Sequence, residues 1–238
     1  MKYKLLFLSL VFIFAAKTSA QSLTGMNGLL SIPTGELNAD KAIVIGTNYF
    51  DKNFLDYTKE EHSAFAVYAT YMFLPFLELG IRVTRIPNLP EGSQHNVDRM
   101  FSFRVQCLKQ DTYLPSVSVG ADNPFSTKEG ANHFNSLYIA STKTFLLDSF
   151  IRSVSLTAGY GSDIISASDY EFVGIFGGVS FHVMNFLKLI TEYDAKTVNG
   201  GFEVLLFNHV HLLACWKDYK YFNGGLGLEF NLGGCNLQ

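Results

Sequence analysis

Charge is scarce in this chain. Asp, Glu, Lys and Arg make up only 16% of its 238 residues, against about 25% in ordinary soluble domains. The net charge is −3, which leaves no basic footprint for nucleic acid and no cationic stripe for a membrane surface. Cysteine is limited to Cys107, Cys215 and Cys235. An odd number cannot pair completely within one chain, and no CxxC or Cys/His spacing points to a metal. There is a single Trp. No GxSxG, P-loop or HExxH motif occurs, so no catalytic constellation and no cofactor site emerge. Beyond residue 16 there is neither helical periodicity nor an apolar run long enough to cross a bilayer as a helix. Any residence in a membrane must therefore come from strands.

What the chain does have is Phe (22), Tyr (12) and Gly (20). Such a composition fits either a deeply buried soluble β protein or one whose exterior faces lipid. The N-terminus indicates where it goes. Lys2 and Lys4 form a basic lead, Leu5 to Ala16 an uninterrupted apolar stretch of 12 residues, and Thr18-Ser19-Ala20 a small-residue cleavage site. This pattern is that of a secretion signal, residues 1–20, with the mature chain starting at Gln21. No Cys follows the site, so no lipid anchor is expected.

Period-two runs predict twelve strands, at about 41–50, 64–73, 76–86, 98–108, 113–120, 134–144, 152–161, 171–181, 185–194, 199–206, 209–217 and 221–232. Most have the roughly 9–11 residues that a tilted strand needs to cross a hydrocarbon core. One face of 76–86 carries Leu77, Leu79, Ile81 and Val83; the other carries Glu78, Gly80, Arg82 and Thr84. The polar faces are rich in Gly, Ser and Thr with isolated charges, unlike the Lys- and Glu-covered surface of a soluble sandwich. Aromatics recur near strand ends, for example Tyr49, Phe50, Tyr71, Phe73, Tyr160 and Tyr221, as interfacial girdles do. The links after strands one, three, five and seven are long, and those after two, four, eight and ten are short. The fold expected is all-β: residues 41–238 form one antiparallel transmembrane β-barrel with short periplasmic turns, in the outer membrane of a Gram-negative bacterium.

The stretch "GLLSIPTGELN" at 28–38 lies in a lead-in covering 21–40. Gly28 and Gly35 permit unusual backbone geometry, and Pro33 next to Thr34 removes a donor, so the run cannot be a fully paired central strand. It reads as a short periplasmic lead-in, as a segment that tucks Leu29, Leu30 and Ile32 into the lumen and partly closes it, or as a thirteenth strand. Candidate lumen-lining charges are Glu78, Arg82, Arg104, Lys188, Glu192 and Asp194. Buried charges should pair or face water, and Lys188 shares a face with Glu192 and Asp194, which it could neutralise. His209 and His211, two apart with no third ligand nearby, are expected to be an ordinary lumen-facing or turn-adjacent pair rather than a metal site.

The segment "GLLSIPTGELNADKAIVIGTNY" resembles the opening of the YjbH family of exopolysaccharide-associated outer-membrane proteins. "YMFLPFLELGIRVTRI", "DTYLPSVSVGADN" with "FNSLYIASTKTF", and "ITEYDAKTVNGGFEV" are similar to later family segments, in order, over residues 25–205. This chain is shorter than most members. The resemblance implies a barrel serving exopolysaccharide production or export, as a conduit or as an accessory to other export components, and it has outer-membrane lipid as a partner. A general small-solute channel is the alternative; an enzyme is disfavoured for want of a nucleophile-base grouping. Finally, "NGGLGLEF" resembles the terminal recognition strand of outer-membrane barrels, which implies that Gly225, Leu228 and Phe230 serve the barrel-assembly machinery.

Overall fold

A computed structural model describes residues 21–54, 62–87, 97–125, 135–164 and 172–232. The proposed signal, residues 1–20, and Cys235 lie outside them. Twelve strands follow one another: β1 (Ala42–Phe50), β2 (Ala64–Leu74), β3 (Leu77–Arg85), β4 (Val97–Leu108), β5 (Ser116–Asp122), β6 (Ser136–Leu146), β7 (Ser153–Ser162), β8 (Gly174–Met184), β9 (Leu187–Tyr193), β10 (Val198–Leu206), β11 (Val210–Lys217) and β12 (Tyr221–Asn231). Every boundary lies within three residues of the one that the alternation predicts. Each strand pairs antiparallel with its neighbours, and β1 pairs with β12 from Ala42↔Asn231 to Tyr49↔Gly224, so the sheet closes into a barrel. Closure leaves no unpaired edge, the condition for a sheet to sit in lipid.

The faces divide as the chemistry requires. On β3 Ile81 is 58% exposed while its neighbour Arg82 is 2% exposed. Val67, Ile139, Leu156 and Ile175 are likewise turned outward as large exposed apolar side chains. In water such a surface would be untenable; in hydrocarbon it is the favourable outside. Tyr49 lies beside Phe65 near one rim, and Phe73, Tyr160 and Tyr221 are exposed. Phe50 does not join this girdle. It follows Tyr49 directly, so the strand period sends it inward, where it is fully buried and stacks on Phe54 at 5.2 Å.

Tight turns set the short links. Phe207-Asn208 and Asp218-Tyr219 all have positive φ, between 52° and 60°. Their His209 N→Leu206 O and Lys220 N→Lys217 O bonds close two-residue turns whose twist matches the flanking strands. The seam between β1 and β12 is closed from inside by one ring. Gly46 pairs with Gly227, and a Cβ on Gly46 would lie 2.3 Å from the Tyr68 hydroxyl. The Tyr68 ring can cover the seam only because no side chain stands there.

Candidate functional site

The lumen is occupied by the chain's own N-terminal segment. Leu23, Leu29, Leu30 and Ile32 are fully buried in one cluster with Phe50, Phe176, Ile190 and Leu213 of the wall and Phe172 just before β8. Burying each such side chain is worth about 2 kcal/mol. The segment is not a thirteenth strand of the barrel. It is an irregular hairpin held by Leu23 N→Leu30 O (2.8 Å), Leu29 N→Ile32 O (2.9 Å) and isolated bridges Gln21↔Asn27 and Gly28↔Pro33. Pro33, lacking an N–H, is tolerated because no ladder runs on through it. Gly35 lies where a Cβ would come within 2.4 Å of the Ser116 carbonyl oxygen, so this step of the chain runs flush against β5.

Two wall sites hold the hairpin. At the first, register places Glu78 of β3 directly opposite Arg104 of β4. The pair is fully buried. Arg104 Nε donates to Glu78 Oε2 at 3.1 Å, and Nη2 donates to the same oxygen. Arg104 Nη1 reaches past the pair to the carbonyls of Asn27 (2.8 Å) and Thr34 (3.1 Å). Glu78 Oε1 accepts from Asn27 N (3.2 Å) and Asn38 Nδ2 (2.7 Å). Thr34 adds its hydroxyl to Asn27 Oδ1, and its carbonyl also accepts from Ser118. The wall thus reads both the donors and the acceptors of the hairpin backbone.

The second site is Glu192 of β9. Its carboxylate accepts from Leu30 N (2.8 Å), Ser31 N (2.9 Å), Ile32 N (3.4 Å) and the Ser31 hydroxyl, with Asn199 Nδ2 at 3.3 Å. Successive amides converging on one anion form a nest. Here the anion belongs to the wall and the nest to the inserted chain.

The remaining lumen candidates take other partners. Arg82 lies over the Phe50 ring at 5.9 Å and approaches the Leu23 carbonyl at 3.5 Å. Asp194 shares the Asn199 side-chain amide with Glu192. It caps the β9–β10 turn, accepting from Lys196 N, Thr197 N and Asn199 Nδ2. For Lys188 the nearest carboxylate is neither Glu192 nor Asp194 but Glu203 of β10, at 4.0 Å. Glu203 also accepts from His211 Nδ1 at 2.8 Å, and His211 Nε2 lies 2.9 Å from Glu229. The two histidines part company: His211 is buried between these carboxylates and His209 is in an exposed turn. Among the described residues no cluster of His, Cys, Asp and Glu is arranged to hold a metal ion.

Sequence reasoning missed Glu203, Asn27, Asn38 and Ser31. Glu203 had a signal: it is the lone charge in "GFEVLLF". The asparagines had none, because their partners are 40 or more residues away in Glu78. On β12, Leu228 and Phe230 face outward, 42% and 49% exposed, and Gly225 faces Asn48 across the seam. Beside the hairpin a space of about 20 Å³ is lined by residues that include Thr34, Thr142, Ser180, His182 and Lys188. It has room for water and not for a solute.

Among solved structures, the chain is similar to the KdgM porin, with 10% identity, 79% of this chain and 98% of that one covered, and a TM-score of 0.45. It is also similar to the Acinetobacter baumannii outer membrane protein Omp33, with 12% identity, coverage of 81% and 98%, and a TM-score of 0.46. No curated protein matches it. The model of the YjbH family, described as exopolysaccharide biosynthesis protein YbjH, matches residues 20–171, more than half of the chain, and with the opening segment, the closed barrel and the lipid-facing exterior in place the chain belongs to that family.

Proposed function

We propose that this outer-membrane barrel is an accessory component of exopolysaccharide production, and that residues 21–38 keep its lumen closed. The family supports the link to exopolysaccharide. The observation that carries the accessory role is the grip of Glu192 on the amides of Leu30, Ser31 and Ile32. A passage would have to break this set together with the Glu78–Arg104 set before anything wider than water could cross. A buried carboxylate stripped of its donors is costly, so the closed form is the resting state. The barrel then offers its rims and outer surface to lipid and to other export components.

The test joins two measurements. Purified wild type should be silent in planar bilayers, while a variant lacking residues 28–38 should pass small ions. In cells lacking the gene, wild type should restore polymer on the surface, and the deletion variant should not raise it further. Steady conductance by wild type, or polymer export that rises with the conductance of the variant, makes the barrel a conduit. Loss of the gene with no change in polymer overturns the exopolysaccharide role.

A further inference from the structure

Gln21, the residue that follows the small-residue site read from the sequence, makes contacts that closing the lumen does not require. Gln21 is 3% exposed and lies inside the barrel. Its main-chain nitrogen donates to Glu203 Oε1 at 3.2 Å, and its side-chain amide donates to the Gly25 carbonyl. Glu203 is itself 4% exposed. Around it stand Lys188 at 4.0 Å, His211 at 2.8 Å and, beyond the imidazole, Glu229. Two carboxylates therefore share one lysine at the edge of pairing distance and one imidazole. A buried carboxylate gains from each charged donor close by, and a cation at the Gln21 nitrogen would add one on Glu203 Oε1.

We propose that removal of residues 1–20 supplies that cation: the α-ammonium of Gln21 is seated on Glu203, and processing completes the closed lumen. The bond is the amide between Ala20 and Gln21, which follows the small-residue site Thr18-Ser19-Ala20. Hydrolysis by a secretion peptidase consumes one water. Its oxygen passes to the new carboxylate of Ala20, and the Gln21 nitrogen takes up protons to become an ammonium. In the precursor this nitrogen has one N–H and no charge. In the mature chain it has three N–H donors and a full positive charge, next to the buried carboxylate that the uncleaved amide already reaches at 3.2 Å. Charge-assisted bonds are roughly twice as strong as neutral ones. Both forms keep the grips of Glu78, Arg104 and Glu192 on the hairpin; the mature chain adds a charge-assisted one at its first residue.

The seat also protects the residue. A free N-terminal glutamine cyclises when its amine attacks its own side-chain carboxamide and expels ammonia, leaving a neutral lactam. An amine protonated on Glu203, beside a carboxamide tied to Gly25, cannot make that attack.

The experiment uses full-length protein, secreted, folded and purified from membranes in detergent. Peptide mass spectrometry should find Gln21 as the first residue, uncyclised. An amine-reactive reagent should label that α-amine at least about tenfold more slowly in the folded barrel than after heat unfolding, the protection expected of a group exposed only by local opening. Glu203→Gln should raise the labelling rate in the folded barrel. Two asparagines inserted between Ala20 and Gln21, which leave the small-residue site in place and do not create a second one before Gln21, should do the same with Glu203 intact, and this variant keeps the test decisive if Glu203→Gln does not fold. A first residue other than Gln21, a lactam lighter by one ammonia, or equal labelling of folded and unfolded wild type overturns the proposal. So does a labelling rate in the folded insertion variant no faster than that of wild type.

Discussion

The two places where the wall grips the inserted hairpin use the same acidic residue type in opposite ways. Glu78 is half of an ion pair: it takes two N–H donors of the inserted segment while its partner Arg104 lays one guanidinium on two of its carbonyls. Glu192 receives main-chain amides directly and draws on neutral donors throughout. The difference teaches how a lumen can hold a peptide without a ladder. Where the chain offers carbonyls, at its base, the wall needs a donor, and a buried donor of sufficient reach is an arginine balanced by an acid. Where the chain offers N–H groups, at its tip, the acid alone suffices because the nest spreads its charge. The base is therefore held by a charge pair and the tip by shape.

That contrast can be broken at its stronger end first. Arg104→Leu leaves Glu78 buried with half its partners gone, a loss of about 3–5 kcal/mol. The heat at which the folded band disappears on a gel should fall accordingly. The double variant Glu78→Leu with Arg104→Leu should recover part of the loss, because no lone charge remains. A double variant as unstable as the single one would mean that the carbonyl contacts, and not the charge balance, hold the base.

Glu192→Gln tests the tip. It keeps the shape and removes the charge, weakening the bonds to Leu30, Ser31 and Ile32 by roughly 1–3 kcal/mol in all. The barrel should stay folded while a cysteine placed at Ser31 becomes open to a thiol reagent. If it stays closed, the apolar side chains hold the tip and the nest is incidental. The smallest effect is expected from Ser31→Ala, which removes one hydroxyl from a carboxylate that keeps its amides, at about 0.5–1.5 kcal/mol. A loss as large as that of Glu192→Gln would move the weight of the tip from backbone to side chain.

Much of the barrel is legible in the alternation of its residues. Alternation at 76–86 separated Ile81 from Arg82 because a strand sends successive side chains to opposite faces, and the structure places them outside and inside. The same rule, applied strictly, would have removed Phe50 from the girdle, since Tyr49 and Phe50 cannot share a face. The candidate lumen charges were legible as inward positions but not in their partnerships. Sequence spacing sets Lys188 near Glu192 and Asp194, whereas β10 pairs with β9 so as to set Glu203 directly opposite Lys188.

The period of two, the Gly-, Ser- and Thr-rich faces and the alternating link lengths were enough to determine a strand-built exterior for lipid and a polar interior. Those properties follow from neighbours one and two residues apart, where backbone geometry acts. What fills the interior was decided only in three dimensions. Gly28, Pro33, Thr34 and Gly35 rule out a paired central strand, but the choice between a lead-in and a lumen segment depends on Glu192, 161 residues beyond Ser31. Only when the strands close is that carboxylate carried to amides that would otherwise be left to water.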